Sequence, residues 1–260
     1  SGTPGEIPVG WLLPDMKVPG HPMLAGDTVR YTGDAVAVVV AETPYAGRDA
    51  VDLVYVEYDP LPASVDPKAT TEEGAVQIHE DAPGNIAFDW ELGDREATDS
   101  AFAQAAHVVE FSTHNNRLIP FAIEPRCALA EFNDSTGELT VTMTSQNPHV
   151  HRLLMSLASL GLPEHKIRVV APEVGGGFGS KIHHYADEAI TCWCAIQLNR
   201  PVKWTATRSE SNLTDAHGRD HVSKAALATD SEGRITGLRV KTYANMGAYL
   251  STFGPAVPTY

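Results

Sequence analysis

The segment 173–181, EVGGGFGSK, constrains this chain more than any other stretch. It places four glycines and one aromatic ring within residues 175–179. A single turn rarely needs so many residues without a Cβ, whereas a backbone that must come close to a ligand does. The loop follows the strand-like run KIRVVAP (166–172) and precedes the helix-like run HHYADEAITCWCAIQLN (183–199). A strand-to-helix turn of this kind directs backbone N–H groups outward, where an oxyanion or oxo group can meet them. The standard phosphate loops do not fit. G-x-x-x-x-G-K-[ST] would need Gly where Ser180 stands and a hydroxyl where Ile182 stands. G-x-G-x-x-G counted from Gly175 meets Ser180 in place of its third glycine.

Charge narrows the function classes. With 19 Lys+Arg against 33 Asp+Glu the formal net charge is −14, which repels a nucleic-acid backbone. No apolar run approaches the ~18–20 residues of a membrane-spanning helix. The three cysteines, Cys127, Cys192 and Cys194, are too few for a disulfide framework and point to a reducing, cytoplasmic compartment. The Pro/Gly-rich opening and the apolar closing phrase STFGPAVPTY are expected of a piece of a longer polypeptide, packed extensively against its remainder.

Local patterns predict a mixed α/β or α+β fold. Residues 28–42 are read as two strands around a Gly33–Asp34 turn, 43–54 as a helix capped by Thr43 with Pro44 at its first position, and 55–65 as a returning strand. Residues 66–98 lack periodicity. Beyond them the pattern predicts a helix from Asp99 and a strand over 107–117. A hairpin over 126–146 turns between Asp134 and Gly137. A helix over 147–161 has Asn147 as cap, Pro148 at its start, a stripe of Leu153, Leu154, Leu157 and Leu160, and Gly161 as stop. A strand over 201–208 and a hairpin pairing 219–229 with 234–245 complete the series.

Other chemistry-bearing residues carry weaker signals. His184 and Glu188, four apart, have metal-ligand spacing, but such a pair is more often a solvated contact. No side chain is therefore assigned to a metal. Cys192 and Cys194, two apart on a helix, point to different sides and fit core packing; His149 and His151 diverge in the same way. Gln146 ends a strand just before a helix, where a side chain can project into a site or simply make a turn.

Taken together, TSQNPH (144–149), GLPEHKIRVVAPEVGGGFGSK (161–181) and RPVKWTATRSE (200–210) resemble the molybdenum-cofactor subunit of the xanthine oxidase family. HPMLAGDTVRYTGDAVAVVVAE and AVDLVYVEYDPLPASVDP resemble the second half of that family's hammerhead domain. Within the family, the carbon monoxide dehydrogenase-like large chains are the most similar. The resemblance implies a C-terminal hammerhead half over 1–70, a connector over 71–98, and the first part of the molybdopterin-binding domain over 99–260. It implies that Gly176, Gly177, Phe178 and Gly179 press against the molybdenum end of a molybdopterin cofactor, in the cytosine dinucleotide or a related form. Gln146 takes the place of a glutamine that hydrogen-bonds an oxygen ligand of the metal. No catalytic residue is expected in this chain, because the family's glutamate base lies further downstream.

The implied activity is hydroxylation of a small molecule, with electrons leaving through iron–sulfur clusters and FAD in partner subunits. The implied partners are the remainder of the large subunit, an iron–sulfur subunit and a FAD subunit, arranged as a dimer of heterotrimers. Xanthine-type members carry Glu where Ile182 stands, and an arginine in the region of 251–260, where none is present. A purine substrate is thus disfavoured. Two other readings stay open on the residues alone, a non-catalytic assembly or cofactor-insertion module of the same fold and a phosphate- or nucleotide-binding domain.

Overall fold

The computed structural model describes residues 5–259. The unit expected over 1–70 therefore begins outside the described residues, and Tyr260 also lies outside them. Among the described residues seven strands form two sheets. The first holds β2 (Cys127–Asn133), β3 (Glu138–Met143), β4 (Ile167–Val170) and β5 (Val202–Thr205) in the order β4-β3-β2-β5. The β2–β3 hairpin turns as expected, with the Gly137 N–H donating to the Asn133 carbonyl at 2.7 Å. β3 and β4 run parallel. Parallel neighbours need a crossover, and the helix α3 (Pro148–Leu154) supplies it. This connection sends the chain out from Gln146 and returns it to the glycine loop.

The long helix α4 (Ala186–Leu198) packs on β2 and β5. Ala128, Ala130, Leu139, Val141, Met143, Met155, Ile167, Cys192 and Ala195 close the core between helices and sheet. Cys192 belongs to this core, whereas Cys194 joins a second cluster with Ile7, Met23, Ala189 and Ile190. The i, i+2 spacing does split the two thiols between opposite sides, and burial pushes both thiol pKa values up. The second sheet holds β1 (His107–Asn115), β6 (His221–Thr229) and β7 (Ile235–Ala244), antiparallel throughout. The helix α2 (Arg95–Ala103) packs on β7, where Ala101 and Phe102 lie against Gly237.

Several expectations fail for identifiable reasons. The helix α1 (Pro44–Val51) forms, with the Thr43 hydroxyl accepting from the Ala46 N–H. The flanking runs 28–42 and 55–65 form no strand. They border an open cleft of about 3500 Å³, and no neighbouring strand completes their ladders. Only the turn at 31–34 is made, with Gly33 at φ +115°.

Asn147 precedes α3 but its side chain caps nothing; Ser145 Oγ instead accepts from the Asn147 N–H at 2.9 Å. The expected leucine stripe is also broken. Leu153 and Leu157 are exposed, and the buried positions are His151, Leu154, Met155 and Ser159. A π-helical turn over Met155–Ser159 continues α3 and rotates the face it presents. Gly161 ends the turn at φ +66°. The run 183–199 becomes helical only at Ala186, and the run 201–208 ends as a strand at Thr205. The helix α5 (Arg208–Thr214) then begins in a capping box between Thr207 and Glu210, a T-x-x-E signature visible in the sequence.

Candidate cofactor-facing site

Gln146 and the glycine loop lie side by side. The Gln146 N–H donates to the Lys181 carbonyl at 2.9 Å. Its side-chain Oε1 accepts from the N–H groups of Gly179 (3.1 Å) and Lys181 (3.2 Å). These two donors fix the orientation of the amide. Its Nε2 is left as the outward end, without a protein acceptor among the described residues, and Gln146 is exposed.

The loop needs its glycines for different reasons. Gly176 and Gly179 take φ values of +93° and +96°, which side chains rarely adopt. A Cβ on Gly177 would sit 2.2 Å from Gln146 Oε1, so only glycine lets the amide lie across the loop. A Cβ on Gly175 would meet the Glu124 Cβ at 2.6 Å. Phe178 itself sits at φ +52°, an unusual conformation for a bulky residue, and its ring is 74% exposed. Backbone strain of this kind collects at functional sites. Among the described residues no protein acceptor meets the N–H groups of Gly177 or Phe178.

A pair not legible beforehand holds the loop at both ends. Glu124 Oε2 accepts from the Gly175 N–H at 2.7 Å and from Lys181 Nζ at 2.8 Å. Lys181 is 2% exposed. Burial alone would raise the Glu124 pKa, but the Lys181 ammonium and the Gly175 N–H outweigh it and hold the carboxyl below its ordinary value. The lysine of the motif is therefore a structural strut, not a hand free to grip a phosphate.

Behind this surface lies a polar core built on Arg126. Its guanidinium grips Asp187 through two bonds (2.5 and 2.7 Å) and Asp215 through Nε (2.6 Å), and lies 3.3 Å from Glu188 Oε1. The Tyr185 ring stacks 3.8 Å from its carbon centre. Arg126 is fully buried, and its partners come from α4 and the end of α5. His184 and Glu188, expected as a solvated pair, are instead buried beside His151. Burial pushes the His151, His183 and His184 pKa values down, His183 to about 4 and His184 to about 3. His149 is exposed and takes no part.

The family model for the molybdopterin cofactor-binding domain matches residues 78–260. The chain belongs to the xanthine oxidase family of molybdopterin-binding large subunits. The model for the aldehyde oxidase and xanthine dehydrogenase a/b hammerhead domain matches residues 9–62. The carbon monoxide dehydrogenase large chain of Hydrogenophaga pseudoflava is 37% identical over 257 residues, covering 91% of this chain and 32% of that one. The nicotine 6-hydroxylase large subunit of Paenarthrobacter nicotinovorans is 36% identical over 230 residues, covering 88% and 28%. The solved structure of reconstituted CO dehydrogenase from Oligotropha carboxidovorans superposes with a TM-score of 0.83 at 35% identity, covering 91% of this chain and 30% of that one. The chain thus spans about a third of the length of these relatives. Family membership supports the molybdopterin reading over a phosphate loop, in agreement with the failed glycine motifs. Among the described residues no helix is long and apolar enough to cross a membrane.

The residues present fit a molybdopterin. A ligand approaching Gly177 and Phe178 meets two unpaired N–H donors and the Gln146 amide, with no Cβ at Gly176, Gly177 or Gly179. Among the described residues, its chain neighbours apart, nothing lies within 4 Å of the position a Gly179 Cβ would take, so the backbone face there is open.

Proposed function

We propose that this chain forms the molybdenum-facing wall of a hydroxylase large subunit acting on an aldehyde, an N-heterocycle or a related small molecule. In this reading residues 1–70 are a hammerhead half, 71–98 connect, and 99–260 carry the wall. Gln146, Gly176, Gly177, Phe178 and Gly179 line the cofactor. One observation carries the reading. Gln146 Oε1 is locked onto the Gly179 and Lys181 N–H groups, so its Nε2 donor points out of the protein beside an uncovered glycine backbone.

When bound, the cofactor supplies two-electron oxidation and the water-derived oxygen that enters the substrate. The protein's share is orientation. The Gln146 amide would offer the cofactor an oriented hydrogen bond, and the Gly177 and Phe178 N–H groups would add two more donors. Ile182, where purine-acting members carry Glu, offers no hydrogen bond to a purine and favours a less polar substrate.

The relatives named as large subunits support completion by further chains. We assign to these an iron–sulfur subunit and a FAD subunit, in a cytoplasmic dimer of heterotrimers, with the cofactor in its cytosine dinucleotide form. Metal and nucleotide analysis of the complete complex tests the reading. Molybdenum with a cytosine-bearing pterin is expected, and a complex lacking both contradicts it.

A further inference from the structure

The polar cluster behind Gln146 has features that the cofactor wall does not use. His151 from α3, His184 from the turn before α4, and Glu188 from α4 each bring one nitrogen or oxygen within 4.8 Å of the other two. All three residues are at most 3% exposed. Two of their atoms, His184 Nδ1 and Glu188 Oε2, are buried and have no hydrogen-bond partner among the described residues. Leaving a buried polar atom unpaired is costly, so two in one place call for an occupant.

The chemistry of the donors identifies it. Two imidazoles and a carboxylate are the ligand set of a borderline divalent ion such as zinc. The outer contacts match those of ligating histidines, whose second ring nitrogen is held by a neighbour. His184 Nε2 lies 2.6 Å from Ser159 Oγ, which fixes the ring and leaves Nδ1 facing the cluster. His151 Nδ1 lies 2.8 Å from Ser145 Oγ and 3.1 Å from the Asn147 carbonyl, with Nε2 directed to the other side, 3.8 Å from Glu188 Oε2. His151 Nε2 also lies 2.8 Å from the His183 carbonyl, a bond that an ion would replace.

Charge points the same way. One guanidinium, Arg126, faces three carboxylates, those of Asp187, Glu188 and Asp215, leaving an excess of two negative charges when all are ionised. A dication cancels that excess; a proton on Glu188 cancels half of it.

We propose that His151, His184 and Glu188 form a closed binding site for a divalent metal ion of the zinc class, separate from the molybdenum cofactor. Ligands at about 2.0–2.2 Å bring donor atoms to roughly 3.4 Å from one another, so the cluster contracts by about an ångström on binding. The ion joins α3, the His183–Tyr185 turn and the start of α4. Through Ser145 it braces the strand end that carries Gln146.

The test uses the complete enzyme complex, purified without chelators and then dialysed with zinc alone. About one zinc per large subunit is expected in the wild type, counted beside molybdenum in the same sample so that the two sites are scored separately. Glu188→Gln and His184→Gln are expected to lose at least about tenfold of that zinc. Anomalous scattering at the zinc edge from wild-type crystals keeps the test independent of whether these variants fold, and a peak within the triad is expected. A wild-type complex without zinc, variants that keep it, or a water-sized density without anomalous signal overturns the proposal and leaves a protonated Glu188 or a buried water in the site.

Discussion

A Cβ on Gly177 would sit 2.2 Å from the Oε1 of Gln146. The glutamine amide thus occupies the space that a side chain on the loop would take, and each residue requires the other. Gly177→Val is therefore expected to displace the Gln146 amide as well as to crowd the cofactor face. Molybdenum content of the complete complex should fall, and turnover should fall by more than the occupancy does. Retention of full turnover per bound molybdenum would show that the amide's position is immaterial.

Gln146→Ala removes the outward donor and also frees the Gly179 and Lys181 N–H groups that Oε1 now accepts from. The cofactor should remain bound, since the backbone donors of Gly177 and Phe178 persist. Turnover should drop by about 10²–10³, the usual worth of one oriented donor. Single-turnover reduction of the bound cofactor by substrate measures this step directly.

Glu124 and Lys181 tie the two ends of the loop across a separation of 57 residues. Glu124→Gln leaves the Lys181 ammonium buried without its counter-charge. Loss of a fully buried partner costs about 3–5 kcal/mol; the 38% exposure of the Glu124 side chain lowers the expected cost to about 2–3 kcal/mol. The pH dependence has a definite sign. The folded carboxyl titrates below its ordinary value of 4.5, so its stabilisation is present above pH 4.5 and is lost as pH falls through the lower folded value. Thermal midpoints of wild type and Glu124→Gln should converge in that acid range and separate above it.

How much of this was legible in the sequence depends on distance along the chain. The glycine loop announced itself because four glycines fall together, and the split of Cys192 from Cys194 followed from helix geometry alone. The partners of Arg126 lie 61 to 89 residues away, and no local pattern marks a buried arginine. Residues 28–42 and 55–65 carry strand propensity, but propensity cannot supply the neighbouring strand that a ladder requires. The leucine stripe misled because a π-turn rotates the face of α3. The capping box of α5 carried a local T-x-x-E signal at Thr207 and Glu210, which the strand reading of 201–208 passed over.

His21 stacks on Tyr249 at 4.1 Å, and its buried Nε2 has no hydrogen-bond partner among the described residues. Burial and then the nearby His79 push its pKa from 6.5 down to about 4. The unfolded chain takes up a proton near pH 6.5 while the folded one does not, so stability declines as pH falls from 6.5 to about 4 and then levels off. His21→Phe keeps the stack and removes the titration. Across that window the wild type should lose about 2–3 kcal/mol relative to the variant. Parallel pH profiles of the two would remove His21 from the account.

The most direct measurement is the position of molybdenum in crystals of the complete enzyme, located by its anomalous signal. The account predicts the Gln146 Nε2 within about 3 Å of a cofactor oxygen, with Gly177 and Phe178 N–H groups facing the same ligand. A molybdenum peak more than ~10 Å from both Gln146 and residues 176–179 is beyond the reach of any hydrogen bond and would contradict it.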